Sequence, residues 1–271
     1  MKRFVISAVL LLACAASALA ADQKLIALTF DDGPRPYVLY GVNKPGEPKV
    51  DSLLNLLDQQ QVKATFFVMG WRLTPKTWGE RHETNIGITC IDAAKDVLKR
   101  GHEIENHTYG HERLDLFERK HGAAAAVADI DRGAAVIKAV SGSQPKYVRP
   151  PQWMLPADLR PQIEAHGYRV MTIASQNPIA VRDVNSADYL CVGKATQCPK
   201  PSLGDSVLKQ IAQREKQGVS THILTFHELS TTVVTLETLI PELKRRGYRF
   251  VRLDEYMKIV ATPASSSGKG W

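Results

Sequence analysis

The stretch Leu25-Ile-Ala-Leu-Thr-Phe30-Asp31-Asp32-Gly33 begins as an apolar run and ends in two carboxylates and a glycine. A short apolar run that is closed by a turn residue predicts a buried β-strand over Leu25–Phe30. Neighbouring residues of a strand point to opposite sides, so Asp31 and Asp32 are expected to do different jobs at the mouth of the strand. An ordinary Asp-Gly turn has the same residues, and the motif alone does not separate the two interpretations.

Short apolar runs alternate with helical patterns along the rest of the chain. The seven strand candidates are Leu25–Phe30, Lys63–Val68, His102–Asn106, Lys146–Arg149, Tyr168–Ile173, His222–His227 and Tyr248–Leu253. The helix candidates are Val50–Gln60, Ile91–Arg100, His121–Val140, Pro156–His166, Ser202–Lys216 and Val233–Arg246. Strands that alternate regularly with helices predict parallel βαβ units. Seven strands favour a barrel over an open doubly wound sheet, although alternation alone separates these two α/β folds poorly.

Residues 1–20 have the composition of a secretory signal peptide. Two basic residues precede an apolar run from Phe4 to Ala13, and small residues end the segment at Ala20. Because this run is short for a spanning helix, we expect cleavage after Ala20 and no stable membrane span afterwards, with an uncleaved anchor as the alternative. Residues 21–260 would then form one domain, and the tail over 261–271, rich in Ser and Gly, would be disordered.

Cysteine use and charge limit the compartment and the partners. Export implies an oxidising compartment, secreted or periplasmic, so we expect a disulfide between Cys191 and Cys198 rather than two free thiols, with Cys90 left over. Loss of residues 1–20 removes two basic residues and lowers the formal net charge from +7 to +5. No Arg/Lys run is interleaved with aromatic residues, so the composition gives no support for a nucleic-acid partner.

The segment His107-Thr-Tyr-Gly-His111 follows the third strand candidate. Two histidines four residues apart lie on one face if the segment turns helically, close enough to share a metal ion. Asp32 would complete a site of two imidazoles and one carboxylate with open coordination positions. Imidazole suits zinc, iron, cobalt or nickel. The alternatives are a solvent-exposed histidine pair and the iron site of an oxygenase, although oxygenase triads usually begin with His-x-Asp/Glu.

Two further strand ends carry polar side chains. A buried Arg149 beside Asp31 would hold that carboxylate ionised, because an opposite charge lowers its pKa. His227 ends the sixth strand candidate at the same face, where a histidine taken alone would be an ordinary strand-end residue. A hydrolase needs a base and an acid besides its metal ion. These side chains offer both, which favours hydrolysis over oxygenation.

Together these segments resemble the polysaccharide deacetylases of the NodB-homology type, carbohydrate esterase family four. The family motifs T-F-D-D-G, H-[ST]-x-x-[HR], R-x-P-x-G and L-x-x-H occur in that order. The matching segments are 29–33 (Thr-Phe-Asp-Asp-Gly), 107–111 (His-Thr-Tyr-Gly-His), 149–153 (Arg-Pro-Pro-Gln-Trp) and 224–227 (Leu-Thr-Phe-His). The resemblance spans roughly Ile26 to Tyr256 and implies a distorted (β/α) barrel of about seven parallel strands in a single domain.

The resemblance also implies a role for each matching residue. One divalent ion is expected, with zinc first and cobalt, nickel or iron as alternatives. The implied roles are Asp31 as general base, Asp32, His107 and His111 as metal ligands, His227 as general acid, and Arg149 as the residue that orients Asp31.

The chain departs from the family pattern at two places. The third motif ends in Trp153 instead of glycine, which predicts a reshaped site floor, while the backbone N–H of Gln152 can still donate to an oxyanion. The fourth motif, D-x-x-D-W, is matched only loosely by Asp183-Val-Asn-Ser-Ala-Asp188-Tyr189, after an apparent insertion at 175–182. We expect Asp188 to be the partner of Arg149, with a plain loop aspartate as the alternative.

The sequence therefore predicts an exported, metal-dependent hydrolase that removes N-acetyl or O-acetyl groups from a polysaccharide or oligosaccharide. Chitin oligomers, peptidoglycan, an exopolysaccharide and acetylated xylan all fit. The long connections 34–49, 71–90 and 174–201 are expected to choose among them. One alternative is a catalytically weakened carbohydrate-binding protein on the same scaffold, which the complete set of ligands and proton carriers disfavours. The other is an amidase for a small non-sugar substrate, which the signal peptide disfavours.

Overall fold

A computed structural model of the protein describes residues 23–42, 51–75, 87–171, 183–192 and 197–261. The predicted signal peptide at 1–20 lies outside these residues, as does the predicted tail except for Ala261. The apparent insertion at 175–182 and much of the long connections also lie outside them. Those expectations remain predictions from sequence.

Eight strands and nine helices make up the described part of the chain. The strands are β1 (Leu25–Gly33), β2 (Thr65–Val68), β3 (Glu103–Asn106), β4 (Tyr147–Val148), β5 (Arg169–Val170), β6 (Asp183–Asn185), β7 (Thr221–His227) and β8 (Arg249–Val251). The helices are α1 (Pro36–Leu39), α2 (Leu53–Gln59), α3 (Cys90–Lys99), α4 (Leu114–His121), α5 (Ala123–Ser141), α6 (Leu159–Ala165), α7 (Leu203–Glu215), α8 (Ser230–Arg245) and α9 (Leu253–Ala261). Short 3₁₀ turns cover Gly70–Leu73, Pro151–Trp153 and Asp188–Cys191.

All strand pairs are parallel, and the sheet order is β5-β4-β3-β2-β1-β7-β6. The long central strand β1 also pairs with β8 near its start, over Leu25–Ala27, and with β2 near its end, from Thr29 onward. One strand with three neighbours curls the sheet on itself. The predicted single-domain fold, a distorted (β/α) barrel, is confirmed.

The predicted elements agree with the structure except in three respects. Each of the seven predicted strands is present, but the three-residue strand β6 was missed inside a long predicted connection. Helices α1, α4 and α9 were also missed. The predicted helix His121–Val140 was wrong at its start, because Gly122 has φ 87° and separates α4 from α5.

Alternation along β1 decides which side chains face the barrel interior. Ile26, Leu28 and Phe30 point outward into the core shared with the helices, and each fully buried side chain of this size contributes about 1.5–3 kcal/mol. Leu25 and Ala27 point inward and pack with residues of α9, which closes one end of the barrel. The same alternation turns Thr29 and Asp31 inward, at the end where the strands terminate.

Two further findings concern the cysteines and membrane spans. The predicted disulfide between Cys191 and Cys198 is present. Cys90 is buried, with its sulfur 3.6 Å from the carbonyl oxygen of Pro34. Within the described ranges, no helix combines the length and the apolar character needed to cross a bilayer.

Candidate active site

The C-terminal ends of the strands surround a cavity of about 460 Å³. In parallel α/β sheets this end gathers ligand sites, because the connecting loops there are free to carry functional side chains. Asp31 lies opposite His227 in the β1–β7 register, so the two side chains are brought together by strand pairing. The cavity is lined by Asp31, Asp32, His107, His111, Pro150, Gln152, Trp153, Asn185, Tyr189 and His227.

Asp32, His107 and His111 converge on one point. The Nε2 atoms of His107 and His111 lie 3.4 and 2.9 Å from Oδ1 of Asp32. One potential ligand atom from each of the three residues lies within 4.8 Å of the others. Among the described residues this is the group of three His, Cys, Asp or Glu side chains that is suited to hold a metal ion.

The protonation of this cluster suits a cation. Nδ1 of His107 lies 2.7 Å from the carbonyl oxygen of Arg149 and donates its proton there, which leaves the Nε2 lone pair facing Asp32. Oδ1 of Asp32 is buried and has no well-formed hydrogen bond. Burial alone would raise the pKa of Asp32, but the two histidines hold it well below the ordinary aspartate value. An ionised carboxylate and two imidazole nitrogens therefore converge, as the ligands of a divalent ion would.

The backbone around the cavity is strained where it presents these side chains. Positive φ is uncommon outside glycine and costs of order 1–3 kcal/mol per residue, so it tends to persist at functional sites. Of the seven described non-glycine residues with positive φ, six belong to segments that build this site. The six are Asp32, Thr108, His111, Gln152, Trp153 and Ala187.

Arg149 lies beside Asp31, and this expectation is confirmed. Its Nη1 donates to Oδ1 of Asp31 at 2.6 Å and to Oγ1 of Thr29 at 2.9 Å. The guanidinium is fully buried, and its central carbon lies 4.0 Å from the ring centre of Phe67 and 4.9 Å from that of Trp153. An arginine is always charged at physiological pH, so this buried, charge-assisted hydrogen bond fixes the direction of the Asp31 carboxyl group.

Asp188 is not the partner of Arg149, so that expectation was wrong. Its Oδ1 lies 2.7 Å from Nδ1 of His227, while its Oδ2 accepts from the His227 backbone N–H at 2.7 Å and from the hydroxyl of Thr232. The strands β6 and β7 pair directly, which brings the loop after β6 to the end of β7 rather than to β4. Burial would lower the pKa of His227, but Asp188 raises it to about 9.

This contact corrects the match to the fourth motif. If Asp188-Tyr189 stands for the final D-W of D-x-x-D-W, then Asn185 stands for the first Asp, and Asp183 lies outside the motif. Asn185 lines the cavity, and its Oδ1 accepts from the backbone N–H of Ala187. The ring of Tyr189 packs edge-on against His227, with centroids 5.6 Å apart.

Gln152 and Trp153 both line the cavity, at φ 54° and 59°. Trp153 occupies the place of the family's glycine, which adopts this left-handed conformation without a side-chain clash. The tryptophan retains that backbone and adds an aromatic wall over Arg149. The floor of the site therefore contains an aromatic ring at a position where the family motif has a glycine.

Sequence reasoning missed Arg35, which lies beside the metal-ligand candidate. Its Nη2 lies 3.3 Å from Oδ2 of Asp32, and its backbone N–H donates to Oε2 of the buried Glu228 at 2.6 Å. A Cβ on Gly33 would lie 1.7 Å from Oε1 of Glu228, which explains why a glycine follows the two aspartates. The sequence signal that could have identified Arg35 is its position three residues after Asp32.

Known proteins resemble this chain over most of its length. The family model "Polysaccharide deacetylase" matches residues 18–171. A peptidoglycan-N-acetylglucosamine deacetylase of Bacillus cereus is 28% identical over 242 residues, which cover 88% of this chain and 90% of that protein. The peptidoglycan-N-acetylmuramic acid deacetylase PdaC of Bacillus subtilis is 27% identical over 238 residues, but these are 40% of its length.

Solved structures share the fold. A structure of Bacillus subtilis PdaC matches with a TM-score of 0.59 at 22% identity, covering 88% of this chain and 92% of that one. A family 4 acetyl xylan esterase from Clostridium thermocellum, solved in complex with a cobalt ion, matches with a TM-score of 0.57 at 25% identity. It covers 89% of this chain and 94% of that one.

Proposed function

The chain belongs to the polysaccharide deacetylase family, and on that premise we propose that it is an exported, metal-dependent enzyme that hydrolyses N-acetyl groups on a cell-wall or related polysaccharide. The observation that carries the proposal is the convergence of Asp32, His107 and His111 beside a buried Asp31–Arg149 pair. A cavity that combines these three groups with a second carboxyl group and His227 supports catalysis over carbohydrate binding alone.

Asp32, His107 and His111 would hold one divalent ion, for which we propose zinc. Two imidazoles and a carboxylate suit zinc and also cobalt, the ion named for the acetyl xylan esterase structure. When bound, such an ion supplies a Lewis acid for a water molecule and for the acetyl carbonyl oxygen.

Asp31 is the proposed base. It faces the same cavity, and its contact with Arg149 fixes the direction of its carboxyl group. It would accept a proton from water as the water oxygen attacks the acetyl carbon. The backbone N–H of Gln152 is the proposed donor to the tetrahedral oxyanion, a contact worth about 3 kcal/mol in such sites.

His227 is the proposed acid. Its pKa of about 9 keeps the imidazole protonated at neutral pH, and Asp188 holds it through Nδ1 so that Nε2–H is free to serve the leaving group. His227 would protonate the departing nitrogen as the C–N bond breaks, which releases acetate and a free amino sugar.

The substrate class rests on the relatives. The Bacillus cereus relative, which this chain matches over most of both lengths, acts on N-acetylglucosamine of peptidoglycan, so peptidoglycan is the first substrate to test. Chitin oligomers come next, because other relatives are chitin deacetylases. Acetylated xylan, an O-acetyl substrate, is the polymer with which these N-acetylated substrates are to be compared. The composition of residues 1–20 supports export.

The test is acetate release by metal-stripped protein with and without added Zn²⁺. Peptidoglycan, N-acetylglucosamine oligomers and acetylated xylan should be compared at equal acetyl concentration. We expect Zn²⁺-dependent acetate release that is fastest on an N-acetylated polymer. Release that persists in the stripped protein would contradict metal dependence, and no release from any glycan would contradict the proposed function.

A further inference from the structure

The barrel interior directly beneath the candidate site contains a carboxyl group that the proposed mechanism does not use. Asp183 begins β6, and its register partner on β7 is Ile223, whose side chain packs in the inner core. Residues paired in neighbouring parallel strands share a face, so Asp183 points into the barrel. It is 7% exposed.

Several buried polar atoms around this position lack hydrogen bonds. Among the described residues, Oδ1 of Asp183, Oγ1 of Thr225, and Nε and Nη2 of Arg149 have no partner. Thr225 faces the same way as Asp183, and it lies opposite Thr29, which accepts from Nη1 of Arg149. Buried polar groups are nearly always paired, because an unpaired one loses its hydrogen bonds to water without replacement.

The charges around Asp183 point to Arg149. Burial raises the pKa of Asp183 to about 7, while the guanidinium groups of Arg149 and Arg214 lower it and Asp31 raises it. Arg214 also donates to the backbone carbonyl of Asp183. Asp183 and Asp31 are thus two carboxyl groups that act on one guanidinium, and only Asp31 bonds to it directly.

We propose that Asp183 is a positioning residue for the deacetylation: its carboxyl group, through a water molecule shared with Thr225, engages Nε and Nη2 of Arg149 and thereby fixes the guanidinium against Asp31. This inference rests on the proposed function. The four unpaired atoms provide two donors, a carboxyl oxygen and a hydroxyl, which are the two to four partners that a buried water requires. Asp183 touches no reacting atom, and it acts only through Arg149.

The test is Asp183→Asn, which preserves shape but removes the charge. We expect kcat for acetate release to fall about 10-fold or more, because a catalytic group that loses its orientation loses rate steeply. KM should change less than about twofold, since substrate contacts are untouched. The unfolding midpoint should stay equal or rise, because the substitution removes a carboxyl group whose charged form is disfavoured by burial.

The matched control is Glu105→Gln, which replaces another buried carboxyl group of the barrel by an amide and should leave kcat unchanged. A normal kcat in Asp183→Asn, or a loss of kcat that tracks a lower unfolding midpoint, would overturn the proposal. If the asparagine variant does not fold, Asp183→Ser gives the same comparison with a smaller side chain. Absence of acetate release by the wild-type protein would instead count against the proposed function.

Discussion

Buried carboxyl groups occur at both ends of the barrel, but in opposite states. At the strand ends, Asp31 contacts the guanidinium of Arg149 and Asp32 faces two imidazoles. At the end closed by α9, Glu103 and Glu105 lie side by side, and burial together with their mutual repulsion raises the pKa of Glu105 to about 9. The same fold therefore keeps the Asp32 carboxylate ionised and the Glu105 carboxyl group largely neutral, according to the burial and the groups placed beside each.

The two ends also use their carboxyl oxygens differently. Oε2 of Glu105 accepts from the backbone N–H groups of Lys146 and Tyr147, and Oε2 of Glu103 accepts from Thr65 and from the backbone of Asp254. These bonds tie the start of β4 and of α9 to the sheet. The ionised Asp32 and the strained backbone lie at the end with the cavity, and the carboxyl groups that bond to the backbone lie at the end closed by α9. A substitution should therefore affect activity at one end and stability at the other.

Asp31→Asn should have the largest effect. The variant keeps the shape of the side chain but cannot accept a proton, so kcat should fall about 10²–10⁴-fold. Zn²⁺ binding should remain, because Asp32, His107 and His111 are unchanged. Acetate-release kinetics and metal content of the same preparation check both points. Loss of the metal together with activity would contradict the separate roles given to Asp31 and Asp32.

Asp188→Asn should have an intermediate effect on rate and a specific effect on its pH dependence. A protonated His227 is required, so wild-type kcat should fall as pH rises through about 9. Without the Asp188 charge the pKa of His227 falls, and this alkaline limb should move to lower pH, with kcat about 10-fold lower near pH 8. If the alkaline limb of the Asp188→Asn profile stays at the wild-type pH, Asp188 does not set the pKa of His227.

Trp153→Gly should alter substrate choice more than chemistry. Glycine adopts φ 59° without strain, so the backbone of the site floor is expected to stay in place. Opening one wall of the cavity should shift the ratio of kcat/KM between long and short acetylated oligomers by a few-fold to about 10-fold. Trp153→Phe is the matched control, because it keeps an aromatic wall. If the kcat/KM ratio is the same in the wild-type protein and in both variants, Trp153 has no part in substrate selection.

The sequence predicted most of the polar residues that line the cavity and little of what surrounds them. Asp31, Asp32, His107, His111 and His227 stand in short motifs next to strand ends, which local patterns reveal. The partner of Asp188 depends instead on β6 lying beside β7, and β6 is only three residues long inside a long connection. No local periodicity can show such a strand.

The protonation state of a buried acidic residue is equally hard to predict from sequence. Glu103 and Glu105 lie on β3, just before His107. In the sequence they are two nearby acidic residues, as Asp31 and Asp32 are. Their raised pKa values follow first from burial and then from neighbouring carboxyl groups, such as Asp254, which is distant from Glu103 in sequence. Asp183 was passed over for the same reason, because its relation to Arg149 arises across the barrel.

Glu105→Gln should have the smallest effect, confined to stability. Between its ordinary pKa of 4.5 and its raised value of about 9, the folded chain holds a proton that the unfolded chain releases. The stability present below pH 4.5 is therefore lost as pH rises through about 9, by at most about 1.4 kcal/mol per pH unit. The glutamine variant should lose less stability over this range, as urea unfolding at several pH values would show. An unchanged pH slope would contradict a neutral Glu105.

The central claim is that a carboxylate from β1 and two imidazoles from beyond β3 bind one divalent ion. Calorimetric titration of Zn²⁺ into metal-stripped protein tests it most directly, with His121→Ala, a change of an exposed histidine on α4, as control. We expect one ion per chain in the wild-type protein and in the control, and an affinity at least about 100-fold weaker in His107→Ala. Wild-type affinity in His107→Ala would contradict the account.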